Sequence, residues 1–431
     1  MSSRKRLKII TLGCSKNTVD SEHLLAALPS EQFEIISDEQ EVDYLLLNTC
    51  GFILDAKEES IAAILEAVEL KRKGLVKTLI VFGCLSQRYH NDLKDEIPEV
   101  DAWFGARDLN EITNYLGVEA KPLNSRFIQD KKGYAYIKIS EGCDRRCSYC
   151  AIPFIRGAHK SVPIEDVVAE ARELAAQGVK ELILIAQDTT YYGLDLYRRR
   201  ALSDLITALS EINEIEWIRI HYSYPADFPE DVLDQMANNP KVCRYLDIPL
   251  QHISDTVLKK MHRGVTGTWT RSLIKRLRER VDGVVLRTTM IVGHPGEGLS
   301  EFEELLQFTK DAHFERLGAF TYSEEEGTYG AENFDDDIDQ ETKQQRLDTL
   351  MAEQSEISMN YNNSRVGKCY KVMVDAEMGN DLICRSEFES PEVDGEIIVQ
   401  GAAGTAQIGD FINVRILAAS EYDLIAERIL Q

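Results

Sequence analysis

The sequence predicts an α/β chain in three parts. These are an open parallel α/β domain over residues 1–125, a partial barrel of six βα units over 130–360, and a small all-β barrel over 364–431. Three observations carry this reading. Strand-like and helix-like patterns alternate through the first two parts, which implies parallel sheets with helices on their faces. Six units in the middle part suit an open barrel better than a closed eightfold one. The last part holds short β-type runs punctuated by Gly, Asn, Asp and Pro.

In the first part, Lys8–Leu12, Tyr44–Asn48 and Thr78–Phe82 read as strands, followed by helical patterns near Asp20–Leu28, Ala56–Arg72 and Asn91–Glu96. Ser125–Gly133 is polar and reads as a linker. In the second part the expected strands are Ala135–Ser140, Glu181–Gln187, Trp217–Tyr222, Tyr245–Leu250, Val284–Val292 and Leu317–Tyr322. The helical patterns between them are Ile164–Gln177, Leu202–Ile212, Asp231–Asn238, Trp269–Arg280 and Ser300–His313. Ser323–Glu341 holds nine acids and no Lys or Arg, and reads as a solvated loop. In the third part the runs are Tyr370–Val374, Leu382–Arg385, Glu396–Val399, Phe411–Leu417 and Leu424–Ile429.

A chain of 431 residues suggests about three domains. With 28% charged and 44% hydrophobic residues it is not a disordered chain. Its 49 Lys and Arg against 73 Asp and Glu give a net charge of −24. Such a chain repels a phosphate backbone unless it hides a basic groove, and suits a basic protein surface better. No apolar run approaches the roughly 18–20 residues that span a bilayer. Leu7–Leu12 leads into Gly13-Cys14-Ser15-Lys16-Asn17 and not into a cleavage site, so it reads as a strand and not a signal peptide. A cytoplasmic protein is expected. Nine cysteines in that setting point to metal or catalytic thiols rather than disulfides.

Cys143, Cys147 and Cys150 form a C-x3-C-x2-C run just past the first strand of the second part. Three thiolates within eight residues can wrap one face of a 4Fe–4S cluster and leave the fourth iron open. A zinc site short of a ligand and chance clustering are the alternatives; zinc sites more often use paired C-x2-C motifs or histidines. Cys14, Cys50 and Cys84 each follow a predicted strand. In an open parallel sheet the strand ends share one edge, so these three can converge on a second cluster, again with one iron open. Singly, each is better explained as a small buried hydrophobe; it is the three at equivalent strand ends that point to a cluster. Cys243, Cys369 and Cys384 sit in or beside apolar strand patterns and are expected in the core.

The Cys143/Cys147/Cys150 run resembles the signature of the radical S-adenosylmethionine superfamily. All three parts together resemble its methylthiotransferase family, with an N-terminal domain carrying three cysteines, a radical core and a C-terminal TRAM barrel. Cobalamin-dependent radical enzymes also have a nucleotide-type N-terminal domain, but their D-x-H-x-x-G signature is absent from residues 1–130. Within the family, Leu12–Glu22, Ile185–Thr190 and Asp247–Asp255 resemble the RimO type, which modifies an aspartate of ribosomal small-subunit protein twelve. The tRNA-modifying MiaB type usually has Gln-Met-Asn where this chain has Ser15-Lys16-Asn17. RimO-type chains more often carry Pro at position 15.

The resemblance implies two 4Fe–4S clusters and S-adenosylmethionine as cofactors. The cluster on Cys143, Cys147 and Cys150 would cleave S-adenosylmethionine to a 5′-deoxyadenosyl radical. The cluster on Cys14, Cys50 and Cys84 would hold or supply the sulfur. The expected product is a methylthio group on the β-carbon of the target aspartate. A tRNA adenosine methylthiotransferase and a non-catalytic iron–sulfur carrier are the alternatives. Expected partners are the basic ribosomal protein and an electron donor such as flavodoxin or ferredoxin, with no membrane and a monomeric chain.

Residues 364–431 hold twelve acids and six bases, which favours a cationic protein over tRNA. Glu387, Glu389, Glu392 and Asp394 cluster there and read as acids that help capture that substrate or as a solvated loop. Gln187, Asp188 and Gln251, with His252, lie at the carboxyl ends of core strands and read as cofactor contacts or as solvated loop residues. Gly293, in Ile291–Glu297, permits close backbone approach and resembles the superfamily's glycine segment near the adenine. Tyr149 is expected to pack near that adenine. Arg156 pairs either with the cofactor carboxylate or within a structural salt bridge.

Overall fold

The structure, a computed structural model, describes residues 4–37, 41–118, 125–128 and 132–429. It divides into two compact units. One holds the described residues up to 128 with 141–145 and 150–160; the other holds 132–140, 146–149 and 161–429.

The first unit is a five-stranded, all-parallel sheet. Its strands run in the order Phe33–Ile35, Lys5–Thr11, Val42–Thr49, Val76–Gly83 and Ala102–Trp103. The period-2 alternation of a strand covers both faces. Leu45, Leu47, Leu79 and Val81 pack with Ile64 and Val68 on one face. Leu46, Ile80 and Phe82 pack with Leu24 and Ile112 on the other. The predicted strands are all present, each slightly longer. The short strands Phe33–Ile35 and Ala102–Trp103 and the helix Leu109–Tyr115 were not expected from the pattern. Each is too short to show a period. The expected linker is anchored where it is described: Arg126 is buried against Glu22, and the Phe127 N–H donates to the Glu22 carbonyl at 3.2 Å. Its residues 129–131 lie outside the described residues.

The second unit carries a six-stranded parallel sheet in chain order: Tyr134–Lys138, Glu181–Ile185, Trp217–Ile220, Val242–Asp247, Val285–Val292 and Arg316–Thr321. Leu182–Ile185 are fully buried, the continuous apolar run of a strand covered on both faces. The five expected helices are present within two residues of their ends.

The acidic segment is a correction. It is not a plain solvated loop: Glu325 is buried, Tyr329–Asn333 is helical, and Asp336 pairs with Lys343 at 2.5 Å. Asp339 caps the next helix by accepting the Thr342 N–H at 2.9 Å. That helix, Gln340–Asn363, gave no apolar stripe because its buried face includes Lys343, Gln354, Ser358 and Asn362.

The same unit ends in a closed five-stranded barrel. Its strands are ordered Cys369–Met378, Asp381–Arg385, Ile397–Val399, Leu424–Arg428 and Phe411–Ala419, returning to the first. Val372, Val374, Leu382, Cys384, Val399, Val414 and Leu424 fill it. Cys243 and Cys384 are buried as expected, but Cys369 is exposed. It leads its strand, before the buried run Val372–Val374 begins.

Buried ion pairs hold the barrel to the core sheet. Arg219 donates from Nε to Glu181 at 2.8 Å, and Arg385 meets both Glu181 and Asp375. This corrects the reading of the four clustered acids. Glu389 is buried between Arg365 and Arg316, which hold its carboxyl down to about 2 against the cost of burial. Asp394 accepts from Tyr245 at 2.7 Å, Glu392 from Tyr134 and Tyr136, and Glu387 pairs with Arg244 at 2.8 Å. These acids are the seam between barrel and core, and their charge is already spent there.

Candidate functional site

The three cysteines of the first unit lie where its strands end. Cys14 follows the strand Lys5–Thr11 and caps the helix Ser15–Ala26. Cys50 directly follows Val42–Thr49, and Cys84 directly follows Val76–Gly83 and opens a helix. In this strand order Lys5–Thr11 and Val42–Thr49 flank the point where the winding reverses, the usual crevice of an open parallel sheet.

The loops approach closely because each cysteine has a glycine neighbour. Gly13 has φ +86, and a Cβ there would sit 2.7 Å from the Cys50 Cβ and 2.9 Å from its sulfur. Gly83 has φ +105, and a Cβ there would sit 2.5 Å from the Thr49 carbonyl. Fully buried Asn17 ties the loops together. Its Nδ2 donates to the Leu12 carbonyl at 2.8 Å and to the Thr49 carbonyl at 3.3 Å. Its Oδ1 accepts from Arg156 at 2.6 Å and from the Cys84 thiol at 3.8 Å. Ser60 holds Cys50 at both backbone groups, accepting its N–H at 3.0 Å and donating to its carbonyl at 2.9 Å.

Burial pushes the Cys50 thiol up, with the Cys14 sulfur adding to the effect. Burial pushes the Cys84 thiol up to about 11; the Arg156 guanidinium opposes this, while the Cys14 and Cys50 sulfurs add to it. The Cys14 sulfur thus acts on both the Cys50 and the Cys84 thiol. Yet among the described residues no three His, Cys, Asp or Glu side chains share one ion's coordination sphere. Three cysteine thiols at one sheet edge are the donor set of a cubane with one open iron, each thiolate taking its own iron.

Arg156 is a correction to its reading as a cofactor contact. It is 3% exposed and its Nη1 meets Asp20 at 2.6 Å and Glu141 at 3.3 Å, while Nη2 bonds Asn17. Its fork is occupied by two carboxylates and an amide oxygen of the same unit, so the salt-bridge alternative is the one present.

Of the second cysteine run, Cys143 and Cys150 group with the first unit and Cys147 with the second. The Cys143 N–H donates to the Gly157 carbonyl at 3.0 Å. On the other side, the Ser148 N–H donates to the Met261 carbonyl at 3.1 Å, and the Gly330 N–H donates to the Ser148 carbonyl at 2.7 Å. His294 is fully buried behind Ser148 and Tyr149. Its Nδ1 donates to the Pro295 carbonyl at 3.0 Å, leaving Nε2 to accept from the Ser148 hydroxyl at 3.5 Å. Burial brings its pKa down to about 4, so the ring is neutral at physiological pH. Arg263 lies 3.6 Å from the Cys147 sulfur and 3.3 Å from the Tyr149 hydroxyl.

Gln187 and Asp188 follow the second core strand, and Asp188 is buried and accepts from the Thr190 hydroxyl at 2.6 Å. Gln251 follows the fourth strand at φ +75 and bridges to Met290 of the fifth. Gly293, φ +75, follows that fifth strand, and its N–H donates to Glu297 at 3.0 Å. Glu297 also pairs with Arg346 at 2.7 Å and accepts from His252 Nε2 at 3.2 Å. His252 Nδ1 accepts the Ser254 N–H, which fixes this tautomer. All four proposed contacts therefore lie at carboxyl ends of parallel strands, the edge where such sheets bind ligands.

The sequence reading missed Asn17, Ser60, Arg263 and His294. Only Asn17 had a signal: it is the one residue shared between Ser-Lys-Asn here and Gln-Met-Asn in the tRNA-modifying relatives.

Comparison with known proteins agrees with this architecture. The radical SAM superfamily profile matches residues 137–309, that of the uncharacterized protein family UPF0004 matches 6–105, and the TRAM domain matches 366–429. Proteins named ribosomal protein uS12 methylthiotransferase RimO are similar over almost the whole chain. That of Christiangramia forsetii is 48% identical, covering 98% of this chain and 94% of the relative. That of Flavobacterium johnsoniae is 47% identical, covering 98% of each. That of Bacteroides fragilis is 49% identical, covering 99% of this chain and 100% of the relative.

Among solved structures, the radical S-adenosylmethionine methyltransferase TsrM from Kitasatospora setae, with cobalamin and a 4Fe–4S cluster bound, has a TM-score of 0.57. The two are 16% identical, over 77% of this chain and 78% of that one. At that identity the likeness concerns the fold alone. On the identity and coverage of its relatives, the chain belongs to the radical S-adenosylmethionine methylthiotransferase family, RimO type.

Proposed function

We propose that the chain transfers a methylthio group to the β-carbon of an aspartate in ribosomal protein uS12. The observation that carries this is identity of 47–49% along 98–99% of the chain to proteins of that name. Convergence of Cys14, Cys50 and Cys84 at one sheet edge supports it, because a second cluster distinguishes such a chain from a radical enzyme with one.

In this reading Cys143, Cys147 and Cys150 hold the cluster that binds S-adenosylmethionine, and Cys14, Cys50 and Cys84 hold the other. When bound, these groups supply the sulfur, the methyl group and the radical that takes hydrogen from the β-carbon. The chain's own residues position and shield. Gly13 and Gly83 let the three loops close, and Asn17 fixes the spacing of their thiols. Gln187, Asp188, Gln251 and Gly293 lie at the core strand ends and orient S-adenosylmethionine. Neutral His294 holds Ser148, beside Cys147, without adding charge.

Residues 1–125, 130–360 and 364–431 are the corresponding domains. A low-potential donor such as flavodoxin or ferredoxin supplies the electron, and the chain works as a cytoplasmic monomer. No helix among the described residues is long and apolar enough to cross a membrane.

The test is the reconstituted chain with S-adenosylmethionine, sulfide and reductant, offered purified uS12 or tRNA. Mass spectrometry is expected to show methylthiolated aspartate in uS12 and unmodified tRNA. Methylthiolated adenosine with unmodified uS12 would replace this reading with the tRNA one.

A further inference from the structure

A buried guanidinium is costly unless an anion meets it. The other deeply buried arginines obey this rule: Arg156 faces Asp20, Arg219 faces Glu181, and Arg365 faces Glu389. Arg263 does not. It is 4% exposed, and among the described residues no carboxylate lies within ion-pair distance of it. Its Nη2 donates to the Pro249 carbonyl at 2.5 Å, and its Nε finds no acceptor. Its Nη1 points at the Tyr149 hydroxyl, 3.3 Å away, and at the Cys147 sulfur, 3.6 Å away.

The side chain is also pinned in that direction. Its Cζ lies 4.2 Å from the ring centre of Tyr224, and the Tyr224 hydroxyl donates to the carbonyl of Arg263 itself. Two residues earlier, the Met261 carbonyl holds the Ser148 N–H, so one turn grips the cysteine run by backbone and side chain together.

We propose that Arg263 is a positioning residue for the cluster on Cys147. Its N–H donates to the ligating sulfur, and its unneutralised charge favours the reduced cluster. The inference rests on the reading of Cys147 as a ligand. Reduction by the external donor adds one electron and so one negative charge to the cluster. A fixed cation and an N–H···S bond at a ligand sulfur both stabilise that state, which raises the reduction potential. No proton need move, because a guanidinium stays charged. The missing carboxylate then has a reason: a carboxylate beside Arg263 would cancel the charge the cluster uses.

The test uses the reconstituted full-length chain with Arg263→Gln and Arg263→Lys. It follows iron per chain and the midpoint potential of the EPR signal that changes when S-adenosylmethionine is added. Arg263→Gln is expected to shift that potential to a more negative value with iron unchanged. Arg263→Lys, which keeps the charge but not the planar fork, should fall between it and the wild type. If Arg263→Gln loses iron, Arg263→Lys decides alone, and a potential below the wild type supports the inference.

Wild-type potential in an iron-replete variant overturns it. An altered KM for S-adenosylmethionine at wild-type potential also overturns it, assigning Arg263 to the cofactor carboxylate. Cys147→Ala separates the two readings. The S-adenosylmethionine-responsive signal should vanish, and its persistence would locate the failure in the ligand assignment.

Discussion

Cys14, Cys50 and Cys84 lie 36 and 34 residues apart and meet only because three parallel strands end on one edge, whereas Cys143, Cys147 and Cys150 lie within eight residues of one loop. The first triplet depends on the packing of a whole sheet, on two glycines and on Asn17. The second depends on short-range spacing and on the turn that grips Ser148. A buried arginine stands beside each. Arg156, beside the first, is neutralised by Asp20 and Glu141, so it acts as a structural pin. Arg263, beside Cys147, keeps its charge. The contrast teaches that the same residue type serves stability in one place and electrostatics in the other, and that its counter-ions decide which.

The largest expected effect breaks the two triplets apart by activity. Cys147→Ala should reduce both deoxyadenosine and methylthiolated product to background. Cys50→Ala should remove the product while deoxyadenosine formation remains measurable. Product at wild-type levels in Cys50→Ala would make the first triplet structural.

The arginines come next. Arg156→Met leaves Asp20 buried without its cation and should cost about 3–5 kcal/mol of stability. Chemical unfolding of the purified chain measures this. A loss under 1 kcal/mol would remove the distinction drawn between Arg156 and Arg263.

A smaller effect is read from pH. His294 has a folded pKa of about 4 against 6.5 for the free ring, because it is buried. The unfolded chain therefore binds the proton first. Stability is complete above about pH 6.5 and falls as pH drops toward about 4. Between pH 7 and 5 the loss should be about 2 kcal/mol. His294→Gln should flatten that part of the urea-midpoint profile, and an unchanged slope would assign it to other groups.

The smallest effect is a rate. Exposed Cys369 should react first with iodoacetamide in the iron-loaded chain. After iron removal, exposed Cys14 should label before Cys84, whose thiol is pushed up to about 11. Raising the pH toward 11 should close the gap. Peptide mass spectrometry gives the order, and equal rates near neutral pH would mean the first triplet is open.

Strands such as Val76–Gly83 and Glu181–Ile185 announced themselves because buried parallel strands carry continuous apolar runs, here Leu79–Phe82 and Leu182–Ile185. The cysteine spacing was equally plain, and so were the barrel strands. What stayed hidden has a common cause. The helix Gln340–Asn363 buries polar side chains, so it lacks an apolar stripe. Glu387, Glu389, Glu392 and Asp394 looked like a surface patch because charge counts carry no information about partners in space. With these four acids paired inside the seam, barrel acidity no longer points to a cationic substrate, and the substrate assignment rests on the relatives instead. Arg263 carried no local signal at all, since its role depends on Cys147, which lies 116 residues away.

The central claim is that two triplets hold two clusters, and an iron count tests it most directly. After anaerobic reconstitution the chain should hold about eight irons, as each triplet takes one cubane. Replacing Cys143, Cys147 and Cys150 together by Ala should leave about four, and replacing Cys14, Cys50 and Cys84 should leave the other four. A wild-type chain that holds only about four irons under those conditions would contradict the account.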